Sequence, residues 1–181
     1  DYVLPATSGF ECYDTAFFGL TWPEVFMQIR RPIVRPEGEP REPGEIWLGL
    51  AERLGLAPAV PPELERAAKG DRLEFAMAFM AHAKAEPKAK AFAPYLLGRT
   101  LGKEWGSVQL AALWGLLANS PKDFQAKAAR AGFPVGPGIG DAVFQALLDN
   151  PQGVVVGMSD PADNFSDIKT EDGKINLHAP E

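Results

Sequence analysis

Helix-period segments follow one another from Glu45 to Asp149, and only a few stretches read as strands. Ile46, Leu50 and Leu54 fall at i, i+4 and i+8 with Trp47 beside them, which predicts one apolar stripe on a helix that Gly55 terminates. Pro62 can open a short helix over 63–69. Asp71 then caps a helix over 72–84, where Leu73, Met77 and Met80 mark the apolar side. Phe75, Phe79 and the alanines widen that side until the helix is apolar nearly all round, so it is expected to lie buried between others. Helices over 92–101 and 108–118 follow, broken at 102–106. In the second, Leu110, Leu113, Trp114, Leu116 and Leu117 cover most faces, which places it at the centre of a helical layer. Ser120-Pro121 reads as an N-cap followed by proline at N1, opening a helix over 122–131 that Gly132 closes. Its polar face is Lys122, Asp123, Gln125, Lys127 and Arg130. A last helix spans 141–149.

Extended pieces are expected at 2–4, where Pro5 ends a strand, at 154–156, and around Ile175 beside a tight Asp172-Gly173 turn. Prolines at 23, 32, 36, 40 and 43 argue against any long regular element over 22–45. That segment also carries Trp22, Val25, Phe26, Met27, Ile29 and Ile33, too apolar a set for a solvated linker. It reads as an extended arm laid over a neighbouring surface. The expected fold is therefore mainly α: a helical domain with a few short strands and a proline-rich extended arm. It forms one region over 1–181, divided into strand, loop and arm (1–44), helices (45–149), and short strands and tail (150–181).

Composition narrows the partners. A chain of 181 residues can bury a real core, as one domain or as a piece of a larger protein. It begins at Asp1, in the middle of what reads as a strand, which suggests an excised fragment. Its net charge is −6, and Arg30-Arg31 is the longest basic run, which argues against a nucleic-acid partner. No apolar stretch approaches the roughly 20 residues of a membrane span. The single cysteine, Cys12, allows no intrachain disulfide and no cysteine-built metal cage.

No catalytic constellation and no metal-ligand spacing stands out. His82 and His178 are far apart, and His82 sits among apolar residues. Cys12 has Glu11 and Asp14 as sequence neighbours, which makes it a poor nucleophile. The glycine-rich run 132–140 leads into a helix but matches no phosphate-binding pattern, and Asp141 places a negative charge where a phosphate would lie. It reads as a flexible connector. Thr7, Ser8 and Glu11 read, on their own, as a hydrogen-bonded turn after a strand.

Two ordered stretches carry a resemblance. DYVLPAT with Glu11 behind it, then RPIVRPEGEPREPGEIWLGLAERLG, is similar to a segment of the molybdopterin-dependent oxidoreductases, the superfamily of DMSO reductase, formate dehydrogenase and nitrate reductase. EDGKINLHAPE resembles the segment before that family's last, cofactor-covering domain. The likeness is clear over 1–55 and 153–181 and loose between. It implies a parent enzyme with molybdenum or tungsten held by bis-molybdopterin guanine dinucleotide, performing two-electron redox of a small substrate. It also implies that Thr7, Ser8 and Glu11 lie at the cofactor's edge, on a loop leaving a strand.

The chain departs from the family pattern. The upstream metal-ligand region, the iron–sulfur cysteine cluster and the final domain are not in it. The segment after Glu11 reads Ala16-Phe-Phe-Gly-Leu-Thr-Trp-Pro-Glu24, where many members have Asn and Glu-Gly-Arg. The expectation is an inert fragment, cytoplasmic, with no cofactor bound to it alone. Its partners would be the remaining domains of the parent chain, together with self-association through the 22–45 arm. The alternative is a helical scaffold or partner-binding module unconnected with any enzyme.

Overall fold

The computed structural model describes residues 2–18, 21–166, 168, 170, 171, 173 and 174. The fold is mainly α-helical with a small antiparallel sheet, as the helix-period segments predict. The sheet has strand order β1 (Asp14–Phe18), β2 (Glu24–Arg30), β3 (Val154–Met158). The helices are α1 (Pro43–Arg53), α2 (Pro62–Ala67), α3 (Arg72–Ala85), α4 (Ala93–Leu97), α5 (Lys103–Trp105), α6 (Val108–Ala118), α7 (Lys122–Arg130), α8 (Ile139–Asp149) and α9 (Pro161–Ser166).

The sheet departs most from expectation. The arm expected over 22–45 holds the central strand near its start and the first three residues of α1 at its end, and 22–23 and 31–42 are irregular. Pro23 and Pro32 bracket β2 rather than interrupt it. Between them Val25, Met27 and Ile29 alternate with Glu24, Gln28 and Arg30, so one face is buried and the ladder donors are intact. β1 pairs with β2 through Thr15 opposite Ile29 and Phe17 opposite Met27. β3 pairs on the other side through Val25 opposite Gly157 and Met27 opposite Val154, with a bulge between Val25 and Phe26. The strand expected at 2–4 does not form. Tyr2 and Val3 are 99% and 89% exposed, and among the described residues the isolated bridge here joins Ala6 to Arg41 in parallel. Three apolar residues without a facing strand have nothing to pair with. The strand expected at 154–156 is β3. The one expected around Ile175 lies outside the described residues.

The core lies between the buried face of the sheet and a helical layer centred on α6, as its all-round apolar sequence predicts. Leu110, Ala111, Leu113, Trp114 and Leu117 meet Val143, Phe144 and Leu147 of α8, Leu96 and Leu101, and Phe75 of α3. Each fully buried side chain of this size contributes about 1.5–3 kcal/mol of transfer free energy. Aromatic rings knit the layer: Trp114 meets Phe75 edge-on at 5.7 Å, and Trp105 stacks on Phe144 at 5.7 Å. Gly140 is a packing device and not part of a flexible connector. A Cβ there would lie 1.9 Å from the Leu117 carbonyl oxygen, so glycine lets α8 cross α6 backbone to backbone.

The apolar stripe of α3 faces the other way from expectation, and that of α1 is only partly covered. On α1 the buried residue is Leu48, flanked at helical spacing by Glu45 and Glu52; Ile46 and Leu50 are half-buried, while Trp47 and Leu54 are exposed. The face turned inward is half acidic because an arginine awaits it, as described below. On α3 the buried residues are Phe75 and Ala83, with Phe79 partly covered, and Leu73, Met77 and Met80 are exposed. One side of that helix is therefore open to solvent. The N-cap expected at Asp71 is present, its carboxylate accepting from the Leu73 and Glu74 N–H groups. At α7, Pro121 itself occupies the cap position and Ser120 precedes it, its buried hydroxyl without a partner. The break expected over 102–106 shrinks to Gly106. From Ala93 the helix runs on through a wide π-helical turn at Gly98–Gly102 into α5.

Candidate functional site

Thr7, Ser8 and Glu11 come together in one loop, and the loop is tied to the irregular stretch after β2. The Thr7 N–H donates to Arg41 O at 3.0 Å, Arg41 N–H to Pro5 O at 3.1 Å, and the Ile33 and Val34 N–H groups to Phe10 O at 2.9 and 3.2 Å. The turn closes on itself: Glu11 N–H donates to Ser8 O at 3.0 Å, and Ser8 N–H returns to Glu11 Oε2 at 2.8 Å. Hydrogen bonds from the Ser8 backbone N–H and hydroxyl, helped by the Glu37 N–H, hold the Glu11 carboxyl below the ordinary glutamate range. The Cys12 thiol, buried beneath the turn, donates to Ser8 O at 3.3 Å.

The donors and acceptors of the turn are thus mostly spent on the turn itself. The exception is Thr7, whose Oγ1 is buried without a hydrogen-bond partner. The Thr7 hydroxyl is unspent but covered by the chain's own atoms, so a pterin or pyrophosphate edge would reach it only if the loop opened, and the Glu11 carboxylate is already engaged. The residues that would hold the rest of such a cofactor are not in this loop.

A second polar cluster was not legible in the sequence. Arg99, in the wide turn, donates from Nε to Glu52 Oε1 at 2.6 Å, from Nη2 to Glu52 Oε2 at 3.0 Å and from Nη1 to Glu45 Oε2 at 2.7 Å; Tyr95 Oη adds a bond to Glu52 at 3.1 Å. The hydrogen bonds from Arg99 hold Glu52 below the usual glutamate range, and Glu52 in turn raises the Arg99 guanidinium. Burial, with the Glu52 carboxylate beside it, pushes the Tyr95 phenol up. Glu45 and Glu52 sit seven residues apart and so share a helix face, which the sequence does show. That Arg99 meets them depends on the wide turn, which it does not show.

The same turn forms one wall of a cleft of about 180 Å3 lined by Glu65, Lys69, Arg99, Thr100, Lys103 and Glu104. No histidine or cysteine lines it. Thr100 is itself committed, its hydroxyl donating to Leu96 O at 2.6 Å. His82 approaches Glu63 with Nδ1 3.3 Å from Oε1, and the pair ties α3 to α2. His178 lies outside the described residues. Among the described residues no three His, Cys, Asp or Glu side chains are grouped as metal ligands, and no helix is long and apolar enough to cross a membrane.

Asp141, at the start of α8, accepts from Arg72 Nε at 2.6 Å, from Arg72 Nη2 at 3.2 Å and from Trp114 Nε1 at 2.8 Å; Gln145 Oε1 takes a further Arg72 bond at 2.7 Å. Burial raises its pKa, but the bonds from Arg72 and Trp114 outweigh burial and leave it below the ordinary value. Its charge faces Arg72, and its role in the described structure is to join α3, α6 and α8. Searches against known families, curated proteins and solved structures find no match for the chain.

Proposed function

We propose that the chain is a helical part of a molybdenum or tungsten bis-molybdopterin guanine dinucleotide oxidoreductase, contributing a loop to the cofactor's edge while the metal ligands and the last domain come from elsewhere in the parent. The observation that carries the reading is the meeting of the two motif blocks. The stretch 5–10, which continues the Leu-Pro-Ala-Thr block, and the stretch 33–41, which continues the Arg-Pro-Ile-Val-Arg-Pro block, are tied by four backbone hydrogen bonds: Pro5 and Thr7 with Arg41, and Phe10 with Ile33 and Val34. Segments that serve one surface of a larger enzyme are expected to be neighbours. The unpartnered Thr7 hydroxyl supports the same reading, since a buried hydroxyl without a bond costs stability that a loop opening onto a ligand would recover. In this reading Thr7 binds the cofactor edge, and Ser8 and Glu11 keep the loop in shape by bonding to each other.

Elemental analysis tests the proposal. A protein carrying this segment, purified from its native source, should contain molybdenum or tungsten in stoichiometric amount and release a fluorescent pterin on oxidation. The 181-residue chain alone should contain neither. A native protein free of both, or a lone chain that holds the metal, would overturn the reading. The exposed Leu73, Met77 and Met80 face of α3 favours a second reading, a partner-binding helical module. Its discriminating result is a native protein without metal or pterin that co-purifies with a stable partner.

A further inference from the structure

α3 is sharply two-sided. Phe75 and Ala83 are buried and Phe79 is partly covered, whereas Leu73, Glu74, Met77, Met80, Ala81 and Lys84 are all exposed. Leu73, Met77 and Met80 keep 58%, 68% and 64% of their surface in water. With Lys84 they follow one another at spacings of four, three and four, the seam along which one helix lies against another. Apolar residues scattered singly need no cover. Three on one seam, two of them methionines that adapt to whatever shape faces them, make a contact face.

The charges on this face select what covers it. Glu74 stands at the start of the seam and Lys84 at its end, about 15 Å apart along the helix. Neither has an ion pair among the described residues. The other charges of α3 are engaged elsewhere: Arg72 is held by Asp141, and His82 lies against Glu63. A basic partner is repelled by Lys84 and an acidic one by Glu74, while the same seam run in reverse matches both. About a two-fold axis level with the step from Ala78 to Phe79, Met77 stands level with Met80 of the other copy and Leu73 with the stem of its Lys84. Glu74 then lies within one residue's rise, about 1.5 Å, of the level of that Lys84. The two copies of Glu74 are about 13 Å apart along the helices and the two of Lys84 about 16 Å, so like charges are screened from each other. A parallel pairing would instead set Glu74 on Glu74 and Lys84 on Lys84.

We infer that the outer face of α3 pairs antiparallel with α3 of a second copy of this chain. The two helix dipoles also oppose each other in that arrangement. A contact confined to one 14-residue helix falls in the small class of interfaces, below about 1,200 Å2 in total, so the dimer is reversible rather than permanent. It rests on the face that favours the partner-binding reading and is independent of the enzymatic one, which stands or falls on metal and pterin content whatever the oligomeric state. If α3 does not self-pair, the partner-binding reading still has its own test, a co-purifying partner of another kind.

Sedimentation velocity of the 181-residue chain at low salt, over a concentration series reaching the millimolar range, tests it. The expected result is a monomer–dimer equilibrium that Met77→Glu weakens roughly tenfold or more, with an unchanged circular dichroism spectrum because the Met77 side chain is exposed. Glu74→Lys and Lys84→Glu should each weaken the dimer about threefold or more, and combining them should restore it to within about twofold. That charge-swap arm decides the matter if Met77→Glu fails to fold. A chain that stays monomeric at millimolar concentration, a dimer indifferent to Met77→Glu, or one that the double substitution does not restore overturns the inference.

Discussion

Asp141 shows how much one carboxylate can organise. It receives hydrogen bonds from α3 through Arg72 and from α6 through Trp114, while the Arg72 guanidinium also lies 5.3 Å from the Phe144 ring centre. Asp141→Asn leaves the shape and removes the charge, so Arg72 keeps its burial and loses its counter-ion. A loss of about 1–2 kcal/mol in urea unfolding at neutral pH is expected, at the low end for such a network because the carboxylate is partly open to solvent. The pH dependence follows from the depressed pKa. A carboxyl whose folded pKa lies below its ordinary 3.8 stabilises the fold above that value, and the contribution is lost as pH falls through the folded pKa. The gap between Asp141→Asn and the unsubstituted protein should therefore be full at pH 7 and close on acidification below about pH 4. In the sequence this residue registers only as a negative charge after a glycine-rich run. Its partners are 69 and 27 positions away, a distance no local pattern spans.

At the scale of the element, the start of α6 is the best-defined helix terminus. Glu42 Oε2 accepts from the Val108 N–H at 2.8 Å and the Gln109 N–H at 3.4 Å, Ser107 Oγ accepts from Leu110 N–H at 3.1 Å, and the Ser107 N–H donates to Gly102 O at 3.0 Å. All four N–H groups that a helix leaves open are thus met, and a negative charge sits at the positive end of the helix dipole. Glu42→Ala should cost about 1 kcal/mol, read as a lower denaturation midpoint with the same slope. The Ser107 half of this cap adjoins the helix in sequence, whereas the Glu42 half comes from the irregular stretch before α1. Elements were legible where caps and periodicity were local: Asp71 before α3, Pro62 opening α2, Gly55 with φ of +67° after α1, and the whole of α6. The faces of α1 and α3 were misjudged because hydrophobicity alone chose them. On α1 Leu48 and the ion pair took the inward face, leaving Ile46 half-buried and Leu54 exposed, and on α3 two phenylalanines outranked two methionines. β2 was hidden because its bounding prolines draw attention away from the alternation between them.

At the scale of the whole molecule, the mainly helical architecture was legible because α6 and α8 are apolar enough to require a surrounding layer, whereas the candidate site was legible only as a turn. Its closure onto 31–42 is tertiary. The sheet carries a further consequence. β2 pairs with β3 across a span of sequence that contains every helix from α1 to α8. Closing a loop that long costs chain entropy before the ladder returns anything. The helices make mostly local contacts and should therefore order first, bringing the two strands within reach. In a pulsed hydrogen-exchange experiment during refolding, amides in the middle of α6 and α8 should gain protection before those of Val155 and Val156. The β2–β3 pairing then acts as the latch of the fold: the last part to close, it fixes the region before α1 and the region after α8 to one body.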